Sequence, residues 1–314
     1  MNPSKAYMHI PDGFLNIPVS IVLWIVSIAV IAVALRRTAK QLGEKEVPLM
    51  GILAAAIFAG QMLNFSVTGG TSGHLLGAAL ATILLGPWAA ILVMTAVVSI
   101  QALLFQDGGL IVLGANLFNM AVVGVFVSHT VLTLVKKLFR NEKAGLFTGS
   151  VLAAWSSIFL ASLACALELS LSGTSPARIA VPAMAAIHAL IGVGEALITL
   201  GAVSFVFAAR KDLLLTNQGH EKTTRGIVIG GALITVILAV LSPLASSHPD
   251  GLEWVAEKTG FLSAAQESFY NIIPDYALPG ISNEALATIA AGIIGAIVVF
   301  VLALAVARTR KKTA

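Results

Sequence analysis

Charge is scarce in this sequence. Asp, Glu, Lys and Arg make up 11% of its 314 residues, against 58% that are hydrophobic. An ordinary soluble domain carries about 25% charged residues. So thin a supply cannot cover a globule of this size with a water-compatible surface, which excludes a soluble protein and leaves an integral membrane protein. Cysteine is nearly missing too. Cys165 stands alone inside an apolar run, so an intrachain disulfide and a Cys-based metal site are both excluded, and it reads as a small buried hydrophobe. No His-Glu-x-x-His pair occurs, which removes the helical metalloprotease signature. No Gly-x-x-x-x-Gly-Lys-[Ser/Thr] loop occurs either, which removes ATP hydrolysis by that route. The chain reads as a non-enzyme with no catalytic cofactor and no nucleic-acid partner, and any ATP-driven step falls to another polypeptide. A cleavable leader is not evident: the first apolar run is long enough to span, is followed by Arg36-Arg37, and has no small-x-small site beyond it.

What is present is a series of apolar runs. A helix needs about 20 apolar residues to cross the hydrocarbon. On that basis spans fall near 17–35, 47–66, 74–86, 88–106, 111–135, 146–172, 181–209, 226–242 and 285–307. The third is short and is divided from the fourth by a tight turn at Gly86-Pro87. The basic residues test the count. With the N-terminus outside, the inner segments hold Arg36, Arg37, Lys40 and Lys45; Lys136, Lys137, Arg140 and Lys143; Arg210, Lys211, Lys222 and Arg225; Arg308, Arg310, Lys311 and Lys312. Four segments of four make sixteen of the nineteen basic residues, leaving Lys5, Arg178 and Lys258 outside. That bias supports an odd number of spans, N-out and C-in. The expected fold is an all-α membrane protein: a seven-helix bundle over 8–209, a polar linker at 210–225, and a two-helix unit over 226–314 with an outer loop near 243–284.

Two polar stretches face the outer side. "MHIPDGFLN" at 8–16 precedes the first span, and "NFSVTGGTSGHLLGAAL" at 64–80 leads into the third. Each presents a histidine, His9 and His74, in turn-forming or glycine-rich surroundings. Either alone reads as an interfacial histidine; together they read as a metal site. If the working chain begins at Met8, its α-amine, the amide nitrogen of His9 and the imidazole of His9 form adjacent five- and six-membered chelate rings. These three nitrogens lie nearly in one plane, and the imidazole of His74 completes a square. Square-planar nitrogen coordination favours Ni²⁺ or Cu²⁺ over tetrahedral Zn²⁺ and excludes Mg²⁺ and Ca²⁺, which prefer oxygen. Pro11 and Gly13 would turn the tip back into the protein. With residues 1–7 attached, the Met8 nitrogen is an amide and the first donor is lost, so those residues are expected to be absent from the working protein. Binding requires neutral imidazole and a deprotonated amide, so affinity is expected to fall on acidification.

"MHIPDGFL" at 8–15 together with "GGTSGHLLG" at 69–77 resembles the substrate-binding (S) components of energy-coupling factor transporters for nickel and cobalt, the NikM/CbiM family. The resemblance covers 8–209. It implies seven spans, N-out, and a metal held by the N-terminal amine, by the amide and imidazole of the second residue, and by a histidine after the second span: Met8, His9 and His74. "HPDGLEWVAEKTGF" at 248–261 is similar to the PDGLE-type N component that accompanies such S components, so the whole resembles a fused M–N chain. The resemblance implies Ni²⁺ or Co²⁺ as transported cargo, uptake across a bacterial or archaeal cytoplasmic membrane, and two kinds of partner, a transmembrane T component and ABC-type ATPases. Cobalt uptake for corrinoid synthesis is the neighbouring reading, and a stand-alone membrane metal sensor or receptor is the reading from another class. A passive channel is disfavoured because no line of carboxylates runs along the spans.

Other polar residues are candidates. Asn64, Ser66, Thr71, Ser72, Asn116 and Asn119, with Gln101 and Gln106, would orient the ligating histidines or join helices by hydrogen bonds. Glu168, His188 and Glu195 are ionisable groups within spans, read as polar glue or as transport residues; His188 and Glu195, seven apart on one helix face, could pair with each other. His129 and His220 read as solvated or interfacial. His248 and Asp250 read either as transient metal contacts or as a turn before a short amphipathic helix near Leu252. The small-residue face "ILAAAIFAG" at 52–60 offers close packing to a partner's helices or to this chain's own.

Overall fold

The structure is a computed structural model that describes residues 8–41, 43, 46–215 and 225–308. Residues 1–7, Lys45, His220, Lys222, Arg310, Lys311 and Lys312 lie outside them. In chain order the elements are α1 (Ile17–Gln41), α2 (Glu46–Gln61), a hairpin of β1 (Phe65–Val67) and β2 (Thr71–Gly73), α3 (Ala78–Leu85) and α4 (Pro87–Phe105). Next come α5 (Leu113–Leu117), a π-helical turn at Phe118–Val123, α6 (Gly124–Leu138), α7 (Glu142–Leu171) and α8 (Ala177–Ala209). The C-terminal unit holds α9 (Arg225–Leu241), α10 (Gly251–Thr259) and α11 (Glu284–Arg308).

Seven of the described helical stretches are long and apolar enough to cross a membrane. The nine expected crossings therefore need a correction at two places. The span expected over 47–66 ends as a helix at Gln61, and the chain then turns into the hairpin, whose tip uses Gly69 and Gly70 at positive φ. The span expected over 74–86 is helical only in α3, eight residues or about 12 Å long. The segment before it, 74–77, is non-helical and runs beside the end of α2: a Cβ on Gly77 would lie 2.6 Å from Ile57, and one on Gly60 would lie 3.0 Å from Leu75. Farther down, Leu84 and Leu49 line one groove, so residues 74–85 cover the same depth as α2.

Non-helical backbone survives at that depth only when protein groups satisfy its polar atoms. Glu195 on α8 does so: its carboxylate accepts from Leu76 N (2.6 Å) and Gly77 N (3.0 Å), while Gln61 Nε2 donates to Leu76 O (2.8 Å). His188 meets Met184 O within its own helix at 2.9 Å, so the two side chains that share this helix face each bond backbone instead. Each buried N–H left without a partner costs roughly 1–3 kcal/mol. Glu195→Ala strands two, and is expected to destabilise the protein by about 3 kcal/mol and lower its unfolding temperature in detergent. Thermal unfolding checks this, and an unchanged midpoint would show that the 74–77 segment does not depend on Glu195.

The small-residue face of α2 is used within the chain. Gly51 abuts Phe300 and Leu304, Gly295 of α11 abuts Phe58, and Gly231 of α9 abuts Ile52, each so close that an added Cβ would fall within 3.1 Å. The C-terminal pair of helices is thus packed on α2, and its loop lies over one end of the bundle. There Gln266 N donates to Asp12 O (2.7 Å), Tyr270 Oη to Ala102 O (2.6 Å), Ile273 N to Leu104 O (3.0 Å) and Ser246 N to Asn64 O (2.8 Å). At the opposite end Arg37 stands over Trp88, and Lys143 and Lys211 stand over Phe207, so basic residues from three separate segments share one face.

Candidate metal centre

The opening segment is fastened before the first helix begins. The Asp12 carboxylate accepts from Leu110 N (3.1 Å), Ile111 N (2.9 Å) and Val112 N (3.2 Å), closing the loop between α4 and α5. Gly109 is required there, because a Cβ would fall 2.0 Å from Asp12 Oδ1. Asn116 clamps Ile10 from both sides, accepting from Ile10 N and donating to Ile10 O at 3.0 Å each. Gly13, at φ +92°, makes the turn that sends the chain back into α1. These bonds leave Met8 and His9 buried beneath the loops rather than projecting into solvent.

Two donor atoms of that tip face one point. Met8 N donates to Asp107 Oδ1 at 3.1 Å, and His9 Nδ1 lies 3.1 Å from the same oxygen. Burial disfavours a charged His9, but the Asp107 carboxylate outweighs it and holds the imidazole above its ordinary pKa. Conversely, burial raises Asp107 while His9 pulls it, on balance, below the usual carboxylate value. The second Asp107 oxygen accepts from Tyr276 Oη at 2.6 Å. Tyr276 follows Asp275 in a turn where both residues have positive φ, an uncommon conformation outside glycine that marks a constrained position.

His74 enters from the hairpin. Its Nδ1 lies 2.9 Å from Leu75 O, and its Nε2 is 3.6 Å from Asp250 Oδ2. The His9 and His74 rings meet edge to face with centroids 5.6 Å apart. Both line a cavity of about 80 Å³ together with Met8, Asn116, His188 and Asp250. Among the described residues, no three His, Cys, Asp or Glu side chains are grouped so as to hold a metal ion. A cation in this cavity would need backbone or terminal nitrogens to complete its shell.

The polar residues expected to orient the histidines divide. Asn116 holds the segment that carries His9, and Asn119 lines the cavity while donating to Glu168 Oε2 at 2.8 Å. Thr71 and Ser72 point elsewhere: Thr71 Oγ1 donates to Pro249 O (3.0 Å), Ser72 Oγ to His248 O (2.8 Å) and Ser72 N to Pro249 O (2.8 Å). Ser66 is exposed and bonds Ser246, and the Asn64 carbonyl accepts from Ser246 N. These four join the hairpin to the C-terminal loop because 248–250 runs alongside β2, joined to it by a single parallel bridge between Ser72 and Asp250. Gln101 O accepts the Asp107 N–H, and Gln106 forms the left-handed turn that ends α4. His248 and His129 are exposed.

A family model described as "Cobalt uptake substrate-specific transmembrane region" matches residues 9–213. The chain belongs to that family. A second model, the PDGLE domain, matches 225–312. A putative fused nickel transport protein NikMN of Archaeoglobus fulgidus is 38% identical over 96% of this chain and 98% of its own. The fused nickel transport protein NikMN of Rhodobacter capsulatus is 32% identical over 80% of this chain and 76% of its own. A crystal structure of a truncated transition metal transporter aligns with TM-score 0.58 and 36% identity, covering 64% of this chain and 99% of that one. Membership makes the chain a multi-pass membrane component of nickel/cobalt transport, with the metal as cargo rather than cofactor.

Asp107 and Tyr276 of this family member were not foreseen. Asp107 stands in a polar "QDGGL" break between apolar runs, a signal of an outer loop but not of its partner. Tyr276 carries no local signal: it reaches Asp107 across 169 positions of sequence.

Proposed function

We propose that the chain is the substrate-binding component of an ATP-driven energy-coupling factor transporter. It captures Ni²⁺ from the outer side of the cytoplasmic membrane and mediates its uptake. The observation that carries this reading is that Met8, His9 and His74 line one cavity, with Met8 N and His9 Nδ1 held side by side against a single oxygen of Asp107. Met8, through its α-amine, His9, through its amide and imidazole, and His74 supply four nitrogens, a set suited to Ni²⁺. Residues 1–7 are absent from this working form. Residues 8–209 bind metal, 210–225 form an inner linker, and 226–314 act as the N component. The N-terminus faces out, in keeping with the basic residues gathered at the other end.

Co²⁺ is the second cargo reading, favoured by the cobalt-uptake description of the matching family. The same donors can bind it, and competition between the two ions distinguishes them. ATP hydrolysis belongs to ABC-type partner subunits joined through a transmembrane T component. The reconstituted protein is expected to accumulate radioactive nickel in vesicles only when those partners and ATP are supplied. Uptake without them would indicate a passive channel, and none with them would indicate a sensor or receptor.

A further inference from the structure

We propose that the groove between α8 and α9 holds the acyl tail of a phospholipid whose anionic headgroup is bound by Lys143, Arg210 and Lys211. The lipid then fills the gap between the metal-binding unit and the C-terminal unit.

The groove is a cavity of about 650 Å³. Leu53 and Ala56 of α2 and Leu80 and Leu84 of α3 form its floor, and residues 201–210 of α8 and 226–234 of α9 form its walls. Each wall rises about 12–14 Å along its helix axis. That is roughly half of an about 30 Å hydrocarbon core, the depth of one leaflet. A cavity walled by apolar side chains stays dry and takes an apolar ligand rather than water.

Two glycines show that the described helices do not close the groove themselves. Gly201 and Gly230 line it from its two walls, and a Cβ on either would meet nothing within 4 Å. Glycine weakens a helix interior relative to alanine. At Gly231 that loss is matched by contact, since a Cβ there would lie 2.7 Å from Ile52. At Gly201 and Gly230 the space is left open. The segment 216–224 that joins the two walls reads TNQGHEKTT, too polar to fill an apolar slot.

Charge decides the kind of lipid. Among the described residues that line the groove, only Arg210 is charged, and it stands at the C-terminal end of α8. Lys211 follows it, and Lys143 of α7 comes to the same place: their ammonium groups lie 5.4 and 5.3 Å from the centroid of the Phe207 ring, one turn before Arg210. Both lysines are exposed. Three cations thus gather where a lipid seated in the groove would place its phosphate, and basic residues at a membrane surface attract anionic headgroups. An apolar helix of a partner protein would match the walls but not the cations.

The full chain is purified in detergent from bacterial membranes, and the lipids it retains are read by native mass spectrometry. Wild type is expected to keep one anionic phospholipid per chain. Gly201→Leu combined with Gly230→Leu fills the groove and should lose most of that lipid, while thermal unfolding verifies that the variant is folded. Lys143→Gln combined with Lys211→Gln changes only exposed positions and leaves the groove intact. Offered phosphatidylglycerol and phosphatidylcholine in mixed micelles, wild type should prefer the first by about fivefold or more, and this lysine variant should lose the preference. Equal retention of lipid in the glycine variant would overturn the site. Equal affinity of wild type for the two lipids would overturn the headgroup contact. Wild type that carries no lipid, with a glycine variant that no longer co-purifies with a transmembrane partner, would overturn the proposal and give the groove to that partner's helix.

Discussion

His74→Ala is expected to lower Ni²⁺ affinity by more than about 100-fold, with the protein still folded. Removing a group that merely orients a ligand costs about 10–100-fold in metal affinity, and loss of a direct donor should exceed that. The ring is buried against His9 and Asp250, but the hydrogen bond at its Nδ1 is to the adjacent carbonyl, and the backbone around it is held by the hairpin and by Glu195 rather than by the imidazole. His9→Ala should have an effect of similar size, since it removes one donor and breaks the six-membered chelate ring. His129→Ala, at an exposed position on α6, serves as the control and should bind as wild type. Titration of purified protein in detergent measures all three, and full affinity in both His9→Ala and His74→Ala would remove the site.

The second large effect concerns the start of the chain. A peptide amide at Met8 would have to lose a proton to bind, as the His9 amide already must, whereas a neutral amine binds without that cost, so protein beginning at Met8 is expected to bind Ni²⁺ at least about 100-fold tighter than protein retaining residues 1–7. The local structure supports this comparison, because Met8 N already faces the Asp107 oxygen that His9 Nδ1 faces. Both forms can be purified and their first residues verified by mass spectrometry before titration. Equal affinity in a preparation whose chains all start at Met1 would rule out the amine as a donor.

Much of this could be read without coordinates, for identifiable reasons. The helices were legible because the bilayer imposes one length and one polarity on whatever crosses it. Their ends were legible because Lys and Arg collect on one side. The stretch at 74–85 was legible as apolar but not as non-helical over 74–77, because hydropathy registers the side chains of Leu75 and Leu76 and is blind to where their N–H groups go. The π-helical turn at Phe118–Val123, which places Asn119 and Met120 beside the cavity, escapes for the same reason: its residues are ordinary helix formers. His188 and Glu195 share a helix face without pairing, because helical spacing shows which residues share a face but not what the face meets. Glu195 found two backbone donors from another segment.

By itself, the sequence determined that this chain lives in a membrane and that two histidines stand at turns near the same surface. Composition and periodicity are properties of the chain read locally. Tertiary structure decided what those histidines meet: one oxygen of Asp107 against Met8 and His9, with Tyr276 on the other, and Asp250 against His74. Those pairings join residues about 100 to 180 positions apart: Asp12 and Asn116 fasten the opening segment beside Asp107, and the packing of the C-terminal loop over the bundle brings Tyr276 and Asp250 within reach. No local pattern encodes such a meeting, because its free energy comes from burying all the surfaces together.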